Sequence, residues 1–216
     1  FNLALRYSTS GIKVNDISGW TGTSWSLQVG GVISKTVRGL PDEMQLNGGI
    51  RLGLLHNEDF WNYRNLSNAD KNQFNWDAIG SPYGLLDTEF DLYQYAFSGG
   101  SGRFVIVKEG GQLIAKSFNA GDNNKIDIEY NSETFEVNKF IITNTKGNEY
   151  VFDVKELTKS SNVTAPSPQG DQDNGGSSFS VYNYTSAWHL SSIKTANNNE
   201  LVKIEYIPEN LAYTTS

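Results

Sequence analysis

Cysteine is absent from the 216 residues. Its absence excludes disulfides, cysteine-ligated zinc, iron–sulfur clusters and thiol catalysis. Histidine is scarce, with only His56 and His189, so imidazole chemistry has two places to sit. Basic charge is short: 17 Lys and Arg stand against 24 Asp and Glu, a net charge of −7 and a pI near 4.8. A nucleic-acid or anionic-membrane surface needs clustered Lys and Arg, so neither is expected as a partner. No apolar run approaches the ~18 residues of a membrane span. The chain opens at Phe1 with no Met and no visible leader, which reads as a processed product or an excerpt.

Val, Ile, Thr, Phe, Tyr and Trp number 67, against only 10 Ala. The first set suits a pleated, half-buried surface, and Ala is the strongest helix former. The 21 Gly and 23 Asn supply residues that tolerate positive φ in tight hairpin turns. At this length a single core can bury roughly 70% of the unfolded surface without covalent staples. Together these point to an all-β domain of antiparallel hairpins, stacked into a curved sheet, sandwich or shell.

Alternation sets the strands. Phe1 to Tyr7, Ile12 to Val14, the Trp25-Leu27-Val29 face and Val32 to Arg38 come first, followed by an Asn47-Gly48 turn signal. Ser67 to Ile79 is the helix candidate, with Ser67 as cap, Asp70 in the first turn, Phe74 and Ala78 on one face, and Gly80 and Pro82 beyond its end. His56 to Leu66 fits either helix or irregular chain. Hairpins then run from Leu92 to Lys108 around Gly99-Gly-Ser-Gly102, and on through Gln112 to Phe118. Further strands are expected at Lys125 to Tyr130, Phe135 to Thr143, Glu149 to Val154, Trp188 to Thr195 and Glu200 to Ile207. Lys125-Ile-Asp-Ile-Glu-Tyr130 is echoed by Lys203-Ile-Glu-Tyr206, which suggests stacked β units. Residues 159–178, rich in Pro, Gly and Ser, read as a mobile loop. The expected organisation is one module over 1–207 and a tail over 208–216 that leads to a downstream region.

Several segments resemble one family. They are Ser10-Gly-Ile-Lys-Val14, Gly19-Trp20, Gly22-Thr-Ser-Trp25-Ser-Leu27, and Gly30-Gly31 running through Arg38-Gly39-Leu40-Pro41. Asp87-Thr-Glu-Phe-Asp91, Gly99 to Phe104, Thr143 to Asp153 and Trp188-His-Leu-Ser-Ser-Ile193 follow in the same order. The set is similar to the N-terminal region of Rhs/YD-repeat cell-surface proteins of Bacteroides-type bacteria, and more distantly to toxin-complex B and SpvB-type proteins. The resemblance implies an exported, non-catalytic part of a β-shell around a C-terminal effector or toxin. Its partners would be downstream repeats or the C-terminal domain of the same polypeptide. In it Gly22, Trp25, Leu27, Gly30, Gly31, Arg38, Gly39, Pro41 and Trp188 are motif positions with structural roles. Two features depart from it: Lys35 stands where Arg is usual, and no tandem Tyr-Asp repeats follow within the sequence.

Chemistry-bearing patterns are few. Asp87, Glu89 and Asp91 alternate, and on a strand they would line one face, as calcium ligands can. The competing reading is a solvated strand edge guarded by charge. Asp171, Asp173 and Asn174 precede Gly175-Gly176, but Tyr182 occupies the position where an EF-hand needs Glu. No Gly-x-Ser-x-Gly elbow exists, so neither histidine has an evident nucleophile. No carboxylate pair stands out for glycoside hydrolysis. Phe60, Trp61, Tyr63 and Trp76 lie in an Asn-rich stretch and form the alternative site, a surface-glycan cleft built on Trp61, Tyr63 and Trp76. The competing reading is a satellite core beneath the helix. No cofactor or metal is assigned. Trp25 is expected to be buried.

Overall fold

The computed structural model describes residues 4–7, 25–28, 30–45, 53–76, 87–118, 121, 123–163 and 179–207. Strands β1 (Ala4–Tyr7) and β2 (Trp25–Gln28) pair antiparallel, with Leu5 opposite Leu27 and Tyr7 opposite Trp25. The remaining strands build one sheet. They are β3 (Gly31–Thr36), β4 (Leu92–Phe97), β5 (Gly100–Glu109), β6 (Gln112–Ser117), β7 (Lys125–Tyr130), β8 (Val137–Thr143), β9 (Glu149–Val163), β10 (Phe179–Lys194) and β11 (Glu200–Lys203). Their order is β6-β5-β4-β3-β10-β9-β8-β7, with β11 added to β10 beyond the end of β3.

Every neighbouring pair is antiparallel, and the sheet curls until its two outer strands nearly meet. At that seam the Leu113 backbone N–H donates to the Tyr130 hydroxyl at 3.3 Å. Register shifts in the β9–β10 ladder near Thr185, His189 and Leu190 supply the local twist that such curling needs. The all-β reading of the sequence is correct. From β3 onward the hairpins join in one curved, nearly closed sheet.

Alternation explains which side chains turn inward. Tyr93 and Tyr95 of β4 are buried while Gln94 and Ala96 face out, and Phe104 and Ile106 of β5 repeat the pattern. Tyr93 stacks on Phe104 with ring centroids 5.1 Å apart, and Phe140 meets Trp188 edge-to-face at 5.0 Å. These four rings, joined by Ile33, Ile142, Phe152 and Leu190, fill the interior. Trp188 also satisfies its polar atom, donating to the Val137 carbonyl at 3.3 Å.

Among the described residues, two short helices lie in the long connection between β3 and β4. α1 (Glu58–Trp61) is capped by the Asn57 side chain, which accepts from the Phe60 N–H. α2 (Asn68–Asn75) is capped by Ser67, whose hydroxyl accepts from the Asp70 N–H, as the sequence suggests. α2 stops at Asn75, short of the expected Ile79; Ala78 lies outside the described residues. Ahead of α1, the single turn Leu54–His56 drives Leu54 and Leu55 into the interior. Among the described residues no helix is long and apolar enough to cross a membrane.

Two boundaries differ from expectation. Gly100 to Gly102 belong to β5, so the hairpin turn narrows to Ser98-Gly99. A side chain at Gly102 would strike the Tyr95 hydroxyl at 2.6 Å, which is why a glycine sits within this strand. Residues 159–163, expected in the mobile loop, instead continue β9, where pairing with Phe179 to Asn183 extends the ladder. The rest of that loop, 164–178, lies outside the described residues, as do Gly22, Asn47-Gly48, Ile12 to Val14 and the tail over 208–216.

Candidate functional site

The inward alternation of β3 places Ile33 and then Lys35 on the core side. The Lys35 side chain is fully buried. A buried ammonium is costly unless it is paired. The chain meets that demand from two directions. After β3 it turns through Gly39 and Pro41, and Glu43 brings Oε1 to 2.5 Å from Lys35 Nζ. From the approach to β4, Asp91 brings Oδ2 to 3.7 Å from the same nitrogen. The Tyr184 ring lies 5.2 Å from Nζ and contributes its electron-rich face.

Asp91 is held by backbone on both oxygens. The Arg38 N–H donates to Oδ1 and the Asp42 N–H to Oδ2, each at 3.0 Å. Asp42 returns the bond, its Oδ2 accepting from the Asp91 N–H at 3.1 Å. The Asp42 backbone carbonyl accepts from Leu55 N–H at 2.9 Å, which docks the buried turn onto the cluster. This approach requires Gly53: an added Cβ would meet the Asp42 carbonyl oxygen at 2.2 Å.

Electrostatics follow from this crowding. Burial lifts the Asp42 carboxyl well above its ordinary value, and the Asp91 charge lifts it further. Burial also raises Asp91, with Lys35 pulling the other way. The Tyr93 hydroxyl beside them is pushed up by burial, then by Glu43, Asp91 and Asp42, so it stays neutral. Asp42 Oδ1 has no hydrogen-bond partner among the described residues, which suits a protonated acid.

The calcium candidates divide. Residues 87–91 precede β4 and are not strand, so the one-face arrangement does not form. Asp91 turns into the cluster. Asp87 is buried against Gly39, accepts from the Glu89 N–H at 3.2 Å, and is pushed up to about 6, first by burial. Glu89 points outward and lies 3.7 Å from the exposed Arg38 guanidinium. Among the described residues no group of three or more His, Asp or Glu is placed to hold a metal ion.

Among the described residues the aromatic candidates make separate ring contacts. Trp61 donates its ring N–H to the Leu54 carbonyl at 3.1 Å and packs edge-on against Phe60 and Phe90. Tyr63 packs on Phe74 and exchanges hydrogen bonds with the Asn75 side chain. Trp76 is 62% exposed. Of the motif positions, Gly30 and Gly31 lead into β3 beside Ile204 and Phe97, Pro41 is buried and starts a turn, and Trp188 is at the centre of the core. Trp25 and Leu27 lie in β2, and their side chains are outside the described residues.

Sequence reasoning passed over Lys35, Asp42 and Glu43 as a group. The available signal was a lysine on the same strand phase as Ile33. Another feature not anticipated is a polar cleft of about 600 Å³ between the Ser98-Gly99 turn, Asn123-Asn124 and the Asn144 to Asn148 turn, floored by Tyr150. Part of its amide surface is already engaged: Asn124 donates to the Tyr95 hydroxyl, and Asn144 Oδ1 accepts from the Lys146 and Asn148 N–H groups.

No family model, curated protein or solved structure matches the chain. The functional reading therefore rests on these residues.

Proposed function

We propose that the chain is a non-catalytic structural module of an exported protein of the Rhs/YD-repeat type, contributing β-structure to a shell around a C-terminal effector or toxin. One observation carries the non-catalytic part. The deeply buried ionisable groups Lys35, Asp42 and Asp91 are turned toward one another and toward backbone N–H groups of the same chain. Such groups hold connections in place: each is turned into the protein and finds its partners within the same chain. The shell context draws on the ordered run of motifs and on the hairpin-built sheet.

The experiment is to express the native polypeptide that carries this chain and subject it to limited proteolysis and electron microscopy. A closed shell that shields a downstream domain is expected, with tandem Tyr-Asp hairpins in the sequence beyond Ser216. A freely accessible neighbouring domain and no such hairpins would overturn the reading.

A second reading, a module for neutral sugars, is favoured by the polar cleft more than by Trp61. Its Asn, Ser and Thr groups suit hydroxyls, and among the described residues Lys146 is the one charged residue lining it. A glycan array with Asn123→Ala and Asn148→Ala controls tests it; binding lost in both variants at unchanged melting temperature supports it, and no binding by the wild type removes it.

A further inference from the structure

We propose that Lys35 and Asp91 join in an intramolecular amide bond, with Glu43 as the proton-transfer group. The observation is a lysine and an aspartate that are both fully buried, with Nζ 3.7 Å from Oδ2, inside a site that already holds a second carboxylate 2.5 Å from Nζ. Held this close, an amine and a carboxyl group react as parts of one molecule, and fixed geometry supplies much of what a bimolecular condensation lacks.

The surroundings are arranged for the reaction. Glu43 touches Nζ and can take a proton from it, which frees the nitrogen lone pair. The Arg38 N–H donates to Asp91 Oδ1 and stabilises the negative charge that grows there as Nζ adds to Cγ. The Nζ–Cγ bond forms and the Cγ–Oδ2 bond breaks. Oδ2 leaves as water with two of the three ammonium protons, one of them carried by Glu43. The third stays on the amide nitrogen, so atoms and charge balance without any oxidant or co-reactant. Tyr93 and Tyr184 wall the site, and the Asp42 N–H at Oδ2 keeps the carboxyl in register. The product also exchanges two buried charges for one neutral amide, which removes their desolvation cost. The bond would tie the end of β3 to the start of β4 across the whole helical connection. It is a single self-modification and leaves the module without turnover toward other molecules.

The test is the intact mass of the folded, purified chain measured under denaturing conditions. The wild type is expected to be lighter than its sequence mass by one water, with a proteolytic fragment in which the Lys35 and Asp91 peptides are joined. Lys35→Arg and Glu43→Gln are expected at full sequence mass. Asp91→Asn is expected to lose ammonia in place of water, because the leaving group changes with the acceptor. Wild type at full mass after prolonged incubation overturns the proposal without needing any variant to fold. Water loss that persists in Lys35→Arg overturns it too, since that would place the loss at an aspartyl succinimide. Water loss in Asp91→Asn would move the acceptor to Glu43 and overturn the assignment to Asp91.

Discussion

Asp42 and Asp91 cap one another: each carboxyl group accepts the backbone N–H of the other residue, at 3.1 and 3.0 Å. Forty-nine positions apart in sequence, they clip the turn after β3 to the chain entering β4. Neither segment is regular structure, so this clip replaces a ladder of strand bonds in fixing where the two run.

Removing one half of the clip is expected to cost stability. Asp42→Ala leaves the buried Asp91 N–H without its acceptor, a loss of about 1–3 kcal/mol. Asp42→Asn keeps an acceptor oxygen and mimics the neutral acid that burial enforces, so it is expected to stay close to wild type. Urea unfolding of the two variants checks the contrast. Equal losses in both would mean that Asp42 acts as a charge.

Trp188 tests the ring cluster. It is buried at 1% exposure and touches Tyr93 and Phe140. Trp188→Ala opens a cavity and strands the Val137 carbonyl, with an expected cost of about 3–5 kcal/mol. A thermal melt that matches wild type would contradict the core assignment.

Asp87 gives a pH signature. Its folded value of about 6 lies above the ordinary 3.8, so between those values the folded state holds the proton more tightly than the unfolded one. Its contribution is therefore fully present below the lower value and is lost as pH rises through about 6. Asp87 Oδ2 is buried with no hydrogen-bond partner among the described residues, and the effect is roughly 1–3 kcal/mol. Melting temperature measured across this window should fall less steeply in Asp87→Asn than in wild type. Parallel profiles would show that Asp87 does not titrate there.

Trp61 and Trp76 separate core from surface. Trp61→Ala loses the bond to Leu54 and the Phe60 and Phe90 contacts, and a melting temperature lowered by several degrees is expected. Trp76→Ala removes an exposed ring and is expected to change stability by less than about 0.5 kcal/mol. Differential scanning calorimetry reads both. Comparable losses would place Trp76 in the packed satellite.

The strands were legible because alternation is local. Leu92 to Phe97 and Lys125 to Tyr130 show their ends in the residue pattern, and the structure keeps them. The Ser67 cap was equally plain, since a hydroxyl before Asp70 needs no tertiary partner to be read. The extension of β9 to Val163 was not legible, because polar Ser and Asn become strand there through pairing with β10. The cluster was harder still. Lys35, Asp42, Glu43 and Asp91 meet only once β3 pairs with β4 and Gly53 admits the Asp42 backbone. Asp87 and Asp91 could be read as a pair by their spacing, yet the chain between them leaves strand geometry and sends Glu89 to solvent.

The buried cluster of Lys35, Asp42, Glu43 and Asp91 is what holds the module together. Equilibrium unfolding of Asp91→Ala tests it most directly, because the substitution strands Lys35 and two backbone donors at once. The expected result is a folded state weakened by about 3–5 kcal/mol, or lost altogether. A variant that unfolds at the same denaturant concentration as wild type would contradict the claim.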